Sequence, residues 1–344
     1  MNEFLHQLFW QSRGYVPSLL DLQAAHGVLA ESEVTAKVGG ASAKGHALTV
    51  VELADGKVIG DLRLAATSGD VVIGNVQALF GCTEPRHHYL LRRRRFRIRR
   101  RRRGTALLLG AANSDNYFHW LFDSLPRWKM LQDAGYADYD HVLLHSQPHH
   151  FQDETLDRLN VPTAKRLRCN KNFVYQFDRL VVPAMPFPLW QVAPWTCDWV
   201  RTLFPERGGG PERIYLSRRR ATRRRLVNEA ELEARLENLG FVCVRPETLS
   251  VAEQAARFSA AKQVVAPHGA GLANMVFAPP GALLVELFHP DNQNQTYRNL
   301  AAACGLRYAG VVGRRSRDLA RHDDRDAEFS VEIEEILRPL RESG

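Results

Sequence analysis

Several short stretches of this chain pair residue types with spacings that could do chemistry. Pro267-His268-Gly269-Ala270-Gly271-Leu272-Ala273-Asn274 follows an apolar strand-like run and opens a helix. Two glycines let a ligand approach the backbone, and the free N–H groups of a helix start favour an anion. His268 can donate to a phosphate oxygen, although a strand-to-helix turn can also need glycine for steric reasons alone. Ser217-Arg218-Arg219-Arg220 follows another strand, and Arg223-Arg224-Arg225 comes just after it. Guanidinium groups there can neutralise a diphosphate through bidentate bonds. Arg218, nearest the strand, is read as functional and Arg223–Arg225 as solvated loop. Glu286 ends the run Leu283-Leu284-Val285, where a carboxylate can accept hydrogen bonds from ribose hydroxyls.

A different chemistry is written in Asn116-Tyr117-Phe118-His119-Trp120-Leu121-Phe122-Asp123. His119 and Asp123 are four apart and share one helix face. Either could serve as a general base, or Asp123 could orient His119. Asp123 is the preferred base, because a carboxylate needs no partner to fix a tautomer. Asp138-Tyr139-Asp140 resembles a metal-holding D-x-D string, but it precedes a strand instead of following one. It is read as a loop with charged caps, and no essential metal is expected.

These groups need a frame. From Gly104 onward the pattern is α/β. Thr105–Leu109, His141–His145 and Arg179–Val182 read as strands. Asn116–Ala134 reads as a helix, capped by Asn113, Ser114 or Asp115 and stopped at Gly135. After the linker-like Gly208-Gly209-Gly210-Pro211, strands at Arg213–Leu216, Phe241–Val244, Gln263–Ala266 and Ala282–Leu287 alternate with helices. Asn228 is the expected cap of one helix, and Ser250-Val251-Ala252-Glu253 fits a capping box for the next. Such alternation argues a parallel sheet, which binds ligands at the carboxyl ends of its strands. Residues 1–103 read as short strands and hairpins. The expected division is therefore 1–207, β-rich to 103 and Rossmann-like from 104, followed by a Rossmann-like domain over 208–344.

Composition bounds the function. The 344 residues are 45% hydrophobic and 24% charged, as in ordinary globular chains. No apolar run approaches the roughly 18–20 residues of a membrane span. The start, MNEFLHQLFWQSRGY, lacks a basic leader and a cleavage site. The five cysteines are scattered without C-x-x-C spacing, which fits neither a disulfide framework nor a zinc site. A cytoplasmic chain is expected. The formal charge is +8, with only seven lysines, and ten of the twelve residues in Arg92–Arg103 are arginine. That run is read first as a solvated face or strand, and second as a patch for anionic lipid or polymer.

The residues then meet a known family. Asn116-Tyr117-Phe118-His119-Trp120-Leu121-x-Asp123-x-Leu125-Pro126-Arg127 resembles the glycosyltransferase family 61 domain, which is linked to capsular polysaccharide synthesis. So do Ile214-Tyr215-Leu216-Ser217-Arg218-Arg219 with Arg225-x-x-Asn228-Glu229, and Ala266 to Phe277 with Pro280-Gly281 and Val285-Glu286. The similarity runs from about Gly104 to His289, with the motifs in family order; the Arg92–Arg103 run has no counterpart. The resemblance implies a two-domain GT-B-like fold, an inverting reaction and a nucleotide-sugar donor. The donor side would comprise Arg218, Arg219, His268 and the Gly269-Ala270-Gly271 turn, with Asn274 beside it and Glu286 on the nucleoside. Asp123 or His119 would deprotonate a carbohydrate acceptor. No cofactor beyond the nucleotide-sugar co-substrate and no specific nucleic acid partner are expected. The implied setting is a bacterial cytoplasmic enzyme, with Arg92–Arg103 as a peripheral contact to the inner face of an anionic membrane. The alternative is an Arg-rich protein that binds nucleic acid or anionic membrane. A nicotinamide enzyme is disfavoured because no G-x-G-x-x-G turn follows a first strand.

Overall fold

A computed structural model describes residues 9–11, 14–16, 34–41, 47–60, 64–69, 71–73, 98–111, 113–186, 191–205, 208–219, 224–315 and 327–342. Arg92–Arg97, Arg220, Arg223 and Cys82 lie outside them, as do Phe187, Pro188 and Trp190. Contacts divide the chain into two compact units, Met1–Leu189 and Trp190–Gly344. The Gly208–Pro211 stretch lies inside the second. The architecture is mixed α/β.

Among the described residues, the second unit is built on a five-stranded sheet. In spatial order its strands are Val242–Val244, Arg213–Leu216, Gln263–Pro267, Leu283–Phe288 and Arg307–Val312, all parallel. The central pair explains itself from sequence. Gln263-Val264-Val265-Ala266-Pro267 and Leu283-Leu284-Val285-Glu286-Leu287-Phe288 are buried along their whole length, as expected of strands covered on both faces. Helices Glu229–Glu237 and Val251–Phe258 connect the first strands in sequence. Ser250 and Glu253 form the expected capping box. Asn228 does not cap with its side chain; its amide exchanges two hydrogen bonds with the backbone of Val331 instead. The strand order is 2-1-3-4-5, so the order reverses between Arg213–Leu216 and Gln263–Pro267. That is the switch point where open α/β sheets hold ligands.

Among the described residues, the first unit carries an eleven-stranded mixed sheet. Its parallel part runs Arg166–Cys169, His141–His145, Ile98–Leu108, Phe173–Pro183. That is a 3-2-1-4 order with its own switch point beside Ile98–Leu108. On the far side, Phe173–Pro183 pairs antiparallel with Ala47–Ala54 and Lys57–Ile59. The unit departs from a doubly wound sheet in one respect. Only residues 170–172 join Cys169 to Phe173, and a link that short cannot run the length of a flat sheet. The sheet must bend. The register shift between Phe177 and Arg179 marks the place, with Gly104 in a left-handed conformation beside it (φ +89°). The amino half of Ile98–Leu108 is exposed and its last three residues are buried.

The helix expected over Asn116–Ala134 is interrupted. Asn116 itself is the cap, its side chain accepting from the Phe118 N–H at 2.9 Å. After Tyr117–His119 the chain widens into a π-type turn, Trp120–Ser124, before the α-helix Pro126–Asp133. Pro126 is the cause, having no N–H for the Phe122 carbonyl and a ring that would strike it.

Candidate active site

At the switch point of the second unit, Arg213–Leu216 and Gln263–Pro267 run in register side by side. The chain leaves the first as Ser217-Arg218 and the second as His268-Gly269. A Cβ on Gly269 would lie 2.0 Å from Nη1 of Arg218 and 3.1 Å from its Cζ. The guanidinium therefore rests on bare glycine backbone. Gly269 has an ordinary extended conformation, so the demand for glycine here is one of space. Ala270 and Gly271 open the 3-10 helix Ala270–Phe277. A Cβ on Gly271 would meet Pro246 Cγ at 3.3 Å, a tight but less severe contact.

The Arg218 loop is held by a residue whose role the sequence hid. Glu229 is buried, and its Oε1 accepts from Tyr215 OH at 3.1 Å, Ser217 OH at 2.8 Å and the Arg218 N–H at 2.8 Å. An acid in the first turn of a helix reads from sequence as a response to the helix dipole; its inward reach shows only in three dimensions. Burial pushes the Arg218 guanidinium below its ordinary pKa, and the positive charge of Arg224 adds to that. Arg224, read from sequence as solvated loop, is half-buried and left-handed (φ +54°), a conformation costing a non-glycine residue roughly 1–2 kcal/mol.

His268 sits in a polar relay. Its Nδ1 is 2.5 Å from Glu286 Oε1, while Tyr308 OH donates to Glu286 Oε2 at 2.8 Å. Asn294 Oδ1 accepts from the Thr296 N–H, which turns the Asn294 amide nitrogen toward His268 Nε2 at 3.1 Å. The imidazole thus carries its proton on Nδ1 and accepts at Nε2. The ring packs against Phe288 and Tyr297.

Three expected donor contacts look different in this geometry. Glu286 is fully buried with both oxygens engaged, so it fixes the His268 ring instead of reaching ribose hydroxyls. Asn274 is also fully buried; its amide donates to Gln254 Oε1 at 2.5 Å and to the Gly271 carbonyl at 3.0 Å, bracing the turn from behind. Arg219 points to Glu233, at 3.1 Å. The structure thus gathers Arg218, Gly269 and His268 at one sheet end and leaves Arg219, Asn274 and Glu286 as supports.

In the first unit, His119 and Asp123 do meet: Nδ1 and Oδ2 are 2.6 Å apart, and both side chains are partly exposed. Behind them Arg127 is fully buried. It donates from Nη1 to the Gly110 carbonyl at 3.1 Å and from Nη2 to the Met185 sulfur at 2.9 Å. These acceptors follow strands Ile98–Leu108 and Phe173–Pro183, so Arg127 staples this unit's switch point. Burial lowers its pKa to about 10, a shift opposed by the charge of Asp123. Asp140 lies at the amino end of His141–His145, where its Oδ2 accepts from the Thr105 N–H at 2.8 Å. Tyr139 between the two aspartates is buried against Trp128.

An α/β sheet whose switch point carries a half-buried arginine on a glycine turn has the chemistry to hold an anion. The wider comparison is more specific. Residues 117–285, just under half of the chain, match the family model described as Glycosyltransferase 61, so that stretch is similar to the domain of a glycosyltransferase family. Two fish relatives are named protein O-linked-mannose beta-1,4-N-acetylglucosaminyltransferase 2. The one from Tetraodon nigroviridis is 35% identical over 127 residues, 34% of this chain and 22% of the relative. The one from Takifugu rubripes is 38% identical over 94 residues, 25% of this chain and 16% of the relative. The aligned stretches thus span about a fifth of those relatives. Vertebrate glycan transferases lend no support to the expected bacterial, capsular setting. Among the described residues, no helix is long and apolar enough to cross a membrane.

Proposed function

We propose that the chain moves a sugar from a nucleotide-sugar donor to a carbohydrate hydroxyl, with inversion, on a two-domain GT-B plan. The observation that carries this reading is the Arg218 guanidinium laid on Gly269 at the switch point of the second unit. A leaving diphosphate gains negative charge as the bond from the anomeric carbon to its oxygen breaks. Preorganised donors aimed at that charge lower the barrier. Arg218 and the backbone N–H groups of the Gly269–Gly271 turn have this chemistry. His268, held through Nδ1 by Glu286, stands beside them in the chain.

The acceptor oxygen attacks the anomeric carbon from the opposite face, and its proton needs a base. The 2.6 Å contact between His119 and Asp123 favours His119, with Asp123 holding Nδ1–H and so directing Nε2 to the proton. This reverses the preference for Asp123 drawn from sequence. Arginine and backbone donors take the place of a metal, so none is needed.

The test is thermal denaturation of the purified chain against a panel of nucleoside diphosphates, with and without excess chelator. A specific binder raises the melting temperature in step with the logarithm of its concentration above Kd, with about 2.7 kcal/mol of stabilisation at a hundredfold excess. The expected result is such a shift with one or two of them, unchanged by chelator. No shift with any nucleoside diphosphate contradicts the donor assignment, and a shift lost to chelator contradicts the metal-free one.

A further inference from the structure

The strand Ile98–Leu108 has two unlike halves. Ala106-Leu107-Leu108 is buried core, while Ile98 and Arg99 to Arg103 are all exposed. The exposed half pairs with Phe173–Phe177 along one edge, and among the described residues no strand lies along its other edge. Successive side chains alternate in direction. Arg99, Arg101 and Arg103 share one face, and Ile98, Arg100 and Arg102 share the other. Arg101 is held by Asp55 Oδ1 at 2.7 Å and Asp178 Oδ1 at 2.8 Å. Arg100 lies over the Phe173 ring, 5.2 Å from its centroid. Among the described residues, no carboxylate forms an ion pair with Arg99, Arg100, Arg102 or Arg103. In sequence the run continues back to Arg92, interrupted by Phe96.

We propose that this arginine strand docks the protein on an anionic lipid surface. Guanidinium groups fanning from both faces of one sheet edge, with no wall around them among the described residues, select for charge density and not for the outline of a ligand. A charged bilayer offers such a density over a wide plane. Ile98 adds the second half of the match. It is an aliphatic side chain 43% exposed among arginines. Apolar tips flanked by long basic side chains suit the boundary between headgroups and acyl chains. Each basic residue near an anionic leaflet contributes about 1 kcal/mol, so the run suffices for peripheral attachment.

The test is co-sedimentation of the full chain with vesicles of phosphatidylcholine alone, or of phosphatidylcholine with phosphatidylglycerol. Binding should require phosphatidylglycerol and weaken with added salt. The triple variant Arg99→Thr, Arg100→Thr, Arg102→Thr keeps residues that favour strands. It should lose roughly 10²-fold in partitioning, from three charges at about 1 kcal/mol each. A control, Arg235→Thr, Arg314→Thr, Arg341→Thr, removes the same charge from exposed sites of the second unit. It should lose less than about threefold, because those arginines already pair with Glu334 and Glu332 and are no part of the docking strand. Circular dichroism and melting temperature establish that both variants fold. Equal losses in the two variants would reduce the effect to net charge and overturn the proposal, as would undiminished binding by the strand variant. Tighter binding to single-stranded RNA than to the vesicles, lost in the strand variant, would make the run a nucleic-acid surface and overturn it equally. Nucleoside diphosphate affinity should stay unchanged in the strand variant, so the outcome is separate from that of the donor assignment.

Discussion

Each unit of this protein has a sheet that reverses strand order beside its first parallel strand, and each places an arginine there, but the two arginines face opposite ways. Arg127 in the first unit is fully buried, with its bonds spent on the Gly110 carbonyl and the Met185 sulfur. What remains toward solvent is an imidazole and a carboxylate, His119 and Asp123, in contact. In the second unit the carboxylates, Glu229 and Glu286, are the buried groups, and the arginine lies over the turn. On the proposed reading, the same topological feature presents a proton acceptor in one unit and an anion holder in the other, and the difference is made by which charge is turned inward. The proposed inverting transfer would call on both.

That contrast can be broken at either end. The largest effect should come from the first unit. His119→Ala removes the proposed base and should lower turnover by roughly 10²–10⁴-fold. Asp123→Asn keeps the shape, removes the carboxylate that accepts from Nδ1–H and lets the ring take the wrong tautomer, so turnover should also fall, but by less. Neither change should alter nucleoside diphosphate affinity measured by calorimetry. Full loss in Asp123→Asn with near-normal turnover in His119→Ala would restore Asp123 as the base. Losses that only track melting temperature would make the pair structural.

A smaller effect is expected from Gly269→Ala. The added Cβ would stand 2.0 Å from Arg218 Nη1, so the guanidinium must move while the backbone, already extended, need not. Displacing one charge-assisted bond worth about 1.5–3 kcal/mol should weaken diphosphate binding by roughly 10-fold or more, with the melting temperature nearly kept. An unfolded variant would show instead that Gly269 serves packing alone.

The two units also differ in how much of them could be read from sequence. In the second, β-branched runs and punctuating glycines set the strands within a residue or two, and the Ser250–Glu253 capping box was visible as a spacing. The fifth strand, Arg307–Val312, was missed because its residues are mostly exposed or half-buried and lack that signature. In the first unit the bend at Gly104 and the three-residue link before Phe173 depend on distant pairings, which no local pattern reports. Site residues followed the same rule. Arg218, His268 and Gly269 stand next to strand ends, so their placement at one end of the sheet is legible, whatever their role. Glu286 and Asn274 had the right chemistry but the wrong direction, since adjacency to a turn does not say which way a side chain points. Glu229 and Arg224 join the site only by tertiary approach.

The account rests most heavily on Arg218 as the group that holds the donor's diphosphate. Titration calorimetry of whichever nucleoside diphosphate stabilises the native chain, repeated on Arg218→Ala, tests it without requiring the acceptor to be known. Loss of one charge-assisted contact of about 1.5–3 kcal/mol predicts affinity reduced roughly 10- to 150-fold in a folded variant. An Arg218→Ala protein that melts normally and binds the nucleotide as tightly as the native chain would contradict the central claim.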